Sequence, residues 1–159
     1  MKFRARQSAR QNASRLLPLL AERFFRSGDA ALKDRLRGAD LHRFRIRTKR
    51  FRFVLEYFRP CYGQALDVYI EAVRGLQSAL GDLTDTRSTR LLLQELLQAG
   101  DPPVRHKKLL AALEAAGQEL LGTYQAYWRE WLESPDFRQK FLRYLRHPPR
   151  DRRKGLGQK

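Results

Sequence analysis

The chain has 159 residues, 42% of them hydrophobic and 31% charged, with 33 Lys and Arg against 17 Asp and Glu for a formal net charge of +16. That length suits one domain with one core, and the apolar fraction is too high for a disordered polyelectrolyte. The positive excess attracts nucleic acid, phosphate polymers, acidic lipids or acidic proteins and disfavours cationic partners.

The first helix is expected from Arg4 to Arg26, with Ala9, Ala13, Leu16, Leu17, Leu20 and Phe24 on one face. Pro18 should bend or shorten it, and Ser27-Gly28-Asp29 should end it. A short linking helix is expected from Ala30 to Arg37, closed by Gly38. The second helix is expected to start at Asp40 as N-cap and to end before Pro60, burying Leu41, Phe44, Thr48, Phe51, Leu55 and Phe58. A third runs from Gln64 to Leu80 on Leu66, Ile70, Val73, Leu76 and Leu80, with an interruption at Gly81-Asp82. A further stretch runs from Asp85 to Gln98, either continuing that helix across a break or forming a separate one. Gly100-Asp101-Pro102-Pro103 is a loop signal. The fourth long helix spans Val104 to Leu132, its inner face carrying Leu109, Leu113, Ala116, Leu120, Tyr124, Tyr127 and Trp131, while Trp128 lies beside that face. Ser134-Pro135 starts a last helix to Arg146. The expected fold is therefore all-α: an antiparallel four-helix bundle with a short extra C-terminal helix. Residues 1–147 form the domain, and 148–159 form a disordered basic tail.

The segment from Leu41 to Pro60 holds seven Lys and Arg and one His against a single Glu. Soluble helices usually mix charge signs, because opposite charges at i,i+4 stabilise them. Here His42, Arg45, Lys49, Arg52 and Glu56 recur at steps of three and four, which puts them in one narrow stripe beside the apolar seam. Arg43, Arg47 and Arg50 lie further round. Cationic heads repeating every ~5 Å along a helix suit a ligand with repeating anionic groups. Arginine forks supply paired contacts to phosphate, and lysine supplies a compact charge. The plainer alternative is a solvated face whose long stems cover the core edge. Arg4, Arg6, Arg10 and Arg15 either extend the basic surface or form an ordinary solvated face.

These residues carry a resemblance. His42, Arg45, Lys49, Arg50, Arg52 and Glu56 fit the pattern H-x-x-R-x-x-x-K-R-x-R-x-x-x-E. Arg74-Gly75-Leu76-Gln77-Ser78-Ala79-Leu80-Gly81-Asp82-Leu83-Thr84-Asp85 fits a second, basic-x-L-Q-x-x-L-G-x-x-x-D. In this the chain resembles the CHAD family of histidine-containing α-helical domains that bind inorganic polyphosphate, over roughly residues 5 to 133. The resemblance implies a polyphosphate-binding set of His42, Arg45, Lys49, Arg50, Arg52 and Arg74, related anions such as phosphate or sulfate as ligands, no cofactor, and a location at polyphosphate granules. Family domains contain two helical halves, each with a basic helix, and this chain resembles one half, the second. Either the site is half-built and weak, or two chains pair to restore it as a homodimer with the basic helices facing a shared groove.

No glycine-rich phosphate loop or acidic metal-binding motif is present, so catalysis is not expected. His42, His106 and His147 are isolated, and no metal site is expected. Asp82 and Asp85 read as helix caps after Gly81. Cys61, the one cysteine, excludes an internal disulfide and a cysteine-based zinc site. No apolar run reaches the ~18 residues of a membrane span. Nor does a signal peptide follow Met1, so a cytoplasmic location is expected. The rival readings are a nucleic-acid-binding helical protein, suggested by the pI of 10.9, an accessory module to a phosphate-polymer enzyme, and a last helix lying on anionic lipid.

Overall fold

Helix α1 spans Ala9–Lys33 and starts later than its apolar periodicity suggests, because Ser8 and Gln11 cap it. The Gln11 amide donates to Ser8 Oγ at 3.2 Å and the Ser8 amide donates to Gln11 Oε1 at 2.9 Å. Such a reciprocal box satisfies two free amides at a helix start. Buried Asn12 fastens the preceding turn, accepting from the Arg4 amide and donating to the Arg4 carbonyl, each at 2.9 Å. The structure is a computed structural model and describes residues 3–33, 38–97 and 104–149, without the side chains of Lys33, Ala39, Val104 and Trp131. The expected loop at 100–103 and the basic tail from 150 lie outside the described residues.

Helix α2 spans Gly38–Tyr62, a 3-10 turn covers Gln64–Leu66, and α3 spans Asp67–Leu97. Helix α4 spans Val104–Tyr127, a π-helical turn covers Trp128–Leu132, and α5 spans Pro135–Arg146. Helices α1 to α4 pack consecutively and α5 lies on α1, so the expected all-α bundle with a short C-terminal helix is the observed architecture. All the inner-face residues named above for α2 and α3 are buried.

Several expected boundaries are corrected. Ser27-Gly28-Asp29 does not end α1, and Ala30–Lys33 continue it, so no separate linking helix begins at Ala30. A β-carbon at Gly28 would sit 1.8 Å from Trp128 Cη2, so this glycine makes room for the indole instead of stopping the helix. Asp29 is held by Arg138 at 2.5 and 2.9 Å and accepts from Trp128 Nε1 at 3.2 Å. That cluster ties α1 to the π turn and α5. Pro18 is buried without shortening α1. Asp40 lies inside the first turn of α2 and pairs with Arg43 instead of capping. Pro60 is accommodated in the last turn of α2, which ends at Gly63, whose φ of 77° is open to glycine and strained for other residues. Arg59 then grips Asp67 through two bonds of 2.6 Å, joining the end of α2 to the start of α3 and holding the Asp67 carboxyl below its usual range.

Helix α3 runs through Gly81 without a break, so Asp82 and Asp85 are exposed interior residues and cap nothing. At the end of α4 the Glu133 amide reaches back to the Trp128 carbonyl, at 2.8 Å. The wider π turn shifts the helical register. Trp128, one α-helical step of four after buried Tyr124, stands at the centre of the core. There Trp128 is fully buried beside Phe24 and Phe44, with ring centroids 5.7 and 5.6 Å away. Leu109, expected inside, is exposed.

Candidate anion site on the second helix

Helix α2 buries one face and leaves two basic flanks, and the structure treats them differently. The flank beside α3 is knitted together. Arg52, 16% exposed, donates from Nε to Gln77 Oε1 at 2.8 Å and from a terminal nitrogen to Glu56 Oε1 at 2.6 Å. Arg74 reaches the same Glu56 oxygen at 3.2 Å and Glu71 at 2.6 Å. Two of the six expected site residues, Arg52 and Arg74, are thus tied to carboxylates. Arg45 is half-buried on this flank, while His42 and Lys49 are exposed. Among the described residues, no ion pair engages His42, Arg45 or Lys49.

Arg50 is not with them. It faces α1, where Arg47, Arg23 and Arg26 join it around a groove of about 750 Å³. The volume lies within the range of small-ligand sites. Leu20, Phe24, Phe51 and Val54 line it as well, so the groove mixes arginines with apolar side chains. Arg47 donates to Ser27 Oγ at 2.8 Å. Among the described residues, none of the four arginines is paired with a carboxylate. Gathering like charges this way costs Coulomb energy that an anion would relieve.

The sequence reading missed Arg23 and Arg26. Their signal was present, a pair spaced by three beside Leu20, Phe24 and Ser27 on the edge of the apolar stripe of α1. The first-helix arginines it named instead lie towards the other end of that helix, where Arg10 donates to the Pro148 carbonyl at 2.9 Å and Arg15 to Asn12 Oδ1 at 3.3 Å.

The outward ridge of α2, between the flanks, carries exposed Phe53 and Tyr57. The Arg52 guanidinium lies 4.6 Å from the Phe53 ring centroid and Lys49 Nζ lies 5.8 Å from it. Among the described residues, no group of three or more His, Cys, Asp or Glu is placed to hold a metal ion, and no helix is long and apolar enough to cross a membrane. The arrangement can hold anions through guanidinium, ammonium and imidazole groups.

A family model described as the CHAD domain matches residues 2–94. The matched stretch takes in α1, α2 and most of α3, including both basic flanks, and stops before α4. No curated protein and no solved structure matches the chain. With more than half of its length covered by that match, both signature segments inside it and an all-helical fold, the chain belongs to the CHAD domain family.

Proposed function

We propose that this protein is a non-catalytic binder of inorganic polyphosphate, held along α2. The unpaired cations His42, Arg45, Lys49 and Arg50 contribute, with Arg23, Arg26 and Arg47 added from the groove. The observation that carries the reading is the groove: four arginines line it with no carboxylate among the lining residues. The association of the CHAD domain with polyphosphate supports the choice of polymer. Arg52 and Arg74 act on this view as a buttress, since their charge is already shared with Glu56. A homodimer that presents two basic helices to one polymer, and a cytoplasmic location at polyphosphate granules, belong to the same proposal.

The test is a titration with orthophosphate, short and long polyphosphate, and duplex DNA of matched charge across a salt series. Long polyphosphate should bind tightest. The variant Arg47→Ala/Arg50→Ala should lose at least tenfold in affinity, and its slope of log K against log salt should flatten by about 1.5–2 for two lost phosphate contacts. Unchanged affinity in that variant, or equal affinity for DNA, would overturn the proposal.

One observation favours a second reading. Phe53 and Tyr57 stand exposed among cations, the combination that stacks unpaired bases in single-strand binders. If single-stranded nucleic acid binds more tightly than polyphosphate, and Phe53→Ala weakens it, that reading replaces the first.

A further inference from the structure

From residue 84 to 97 and from 105 to 119, no residue is buried and none packs against the core. The two stretches are the distal halves of α3 and α4, which pack on one another and are bridged by Arg90 and Glu114. Fourteen residues of α3 at the usual helical rise make this a hairpin arm about 20 Å long. An arm of that kind normally carries a polar exterior. This one exposes Leu91, Leu92, Leu96 and Leu109, with Leu92 and Leu96 at 58% and 68%. Leu93, Leu97, Leu110 and Leu113 are only half-covered. Leu92 and Leu96, one turn apart on α3, expose an apolar strip of the kind that marks an interaction surface.

Charge identifies the occupant. The whole chain carries +16, yet these two stretches hold five Lys and Arg against four Asp and Glu, all but neutral. Two copies of so basic a protein repel each other across most of their surface. The arm is where they can meet without that repulsion, because its charges are nearly balanced. Two leucine-bearing hairpins laid together complete a four-helix bundle, the usual way to bury faces that one helix pair leaves open. A twofold contact uses the same patch on both partners, so each copy covers the other's leucines. A stable interface needs roughly 800 Å² from each side, an area that two helices of this length can supply. An anionic membrane surface is a poorer match, because Glu95, Glu114 and Glu119 lie on the arm and its net charge is near zero.

We infer that the α3–α4 arm is a self-association surface, on which a second copy of this chain docks its own arm to form a homodimer. The inference does not depend on which anion α2 binds. It makes the arm, not the facing basic helices, the principal contact.

The test compares the intact chain with Leu92→Glu/Leu96→Glu by sedimentation equilibrium over a wide concentration range. Both substituted side chains are exposed in the single chain, so circular dichroism should be unchanged. The intact chain should reach twice its 18.7 kDa mass at tens of micromolar, and the variant should need at least tenfold higher concentration. A strictly monomeric intact chain overturns the inference, as does a dimer indifferent to the two substitutions. Polyphosphate affinity measured separately on both proteins, per chain, reports on the anion site, so failure of the arm contact is distinguishable from failure of polyphosphate binding.

Discussion

The body of this protein and its α3–α4 arm are both helical and both rich in leucine, yet they are held in opposite ways. In the body, aromatic rings interlock. Phe24 stacks on Phe51 at 4.6 Å, Tyr69 stacks on Phe141 at 4.2 Å, and Trp128 fills the space between α1 and α2. Among the described residues the arm has no buried side chain, and its two helices pack on each other. A helix of that length gains little stability by itself and depends on the face it buries. The difference teaches where the same substitution should have opposite signs, and glycine shows it most plainly.

The largest effect should come from Gly28→Ala. The new methyl would overlap the Trp128 ring, which cannot retreat because Phe24 and Phe44 crowd it. Overpacking of this severity should destabilise the fold by about 3 kcal/mol or more, lowering Tm by roughly 6–12 °C. Chemical denaturation measures it. Shortening the ring in the same chain with Trp128→Leu should recover part of the loss, a coupling expected only of residues in contact. Additive losses would mean that the close approach of α1 to the π turn is not what constrains this position.

Two buried tyrosines give a finer contrast within the body. Tyr62 donates its hydroxyl to the Leu145 carbonyl at 2.6 Å, fastening the end of α2 to α5. Tyr62→Phe should cost about 1 kcal/mol by leaving that carbonyl without its partner. The Tyr124 hydroxyl is buried without a hydrogen bond among the described residues, so Tyr124→Phe should cost nothing or stabilise. Burial pushes both phenols well above their ordinary value. The neutral form is therefore favoured in the folded state. Their contribution is complete below about pH 10, where the unfolded chain also keeps its protons, and is lost as pH rises through the folded values. An alkaline denaturation series should show that decline, with the Tyr62 part absent in Tyr62→Phe.

The cores of α2 and α3 were legible because apolar residues recur at three and four with nothing to interrupt them. The glycines were not. Gly28 and Gly81 look alike as helix punctuation, and what separates them is a ring from a residue 100 positions away in one case and open space in the other. Trp128 was placed beside the inner face although it continues the step of four through Leu120 and Tyr124, because the inner face was drawn through Tyr127 instead. For the site, the residue types and the helix were readable, but the partition of charge was not. Glu56 sits one turn from Arg52 in the chain, yet only the packing of α3 onto α2 shows that it also takes Arg74. Likewise only the packing of α1 gathers Arg23 and Arg26 with Arg47 and Arg50.

The smallest effect is the most discriminating between body and arm. Gly81 lies in the interior of α3 and Gly117 in the interior of α4, and a β-carbon at either meets nothing within 4 Å. Alanine there should stabilise by roughly 0.5–1 kcal/mol, because it narrows the unfolded ensemble and suits a helix better than glycine. Both gains should appear by denaturation of dilute protein. Gly117 belongs to the arm, however, and Gly81 to the part of α3 that packs on the body. If arms pair through a face that includes Gly117, its gain should shrink or reverse as concentration rises, while the gain at Gly81 should stay constant. Parallel behaviour of the two across the whole concentration range would place Gly117 outside any contact between copies.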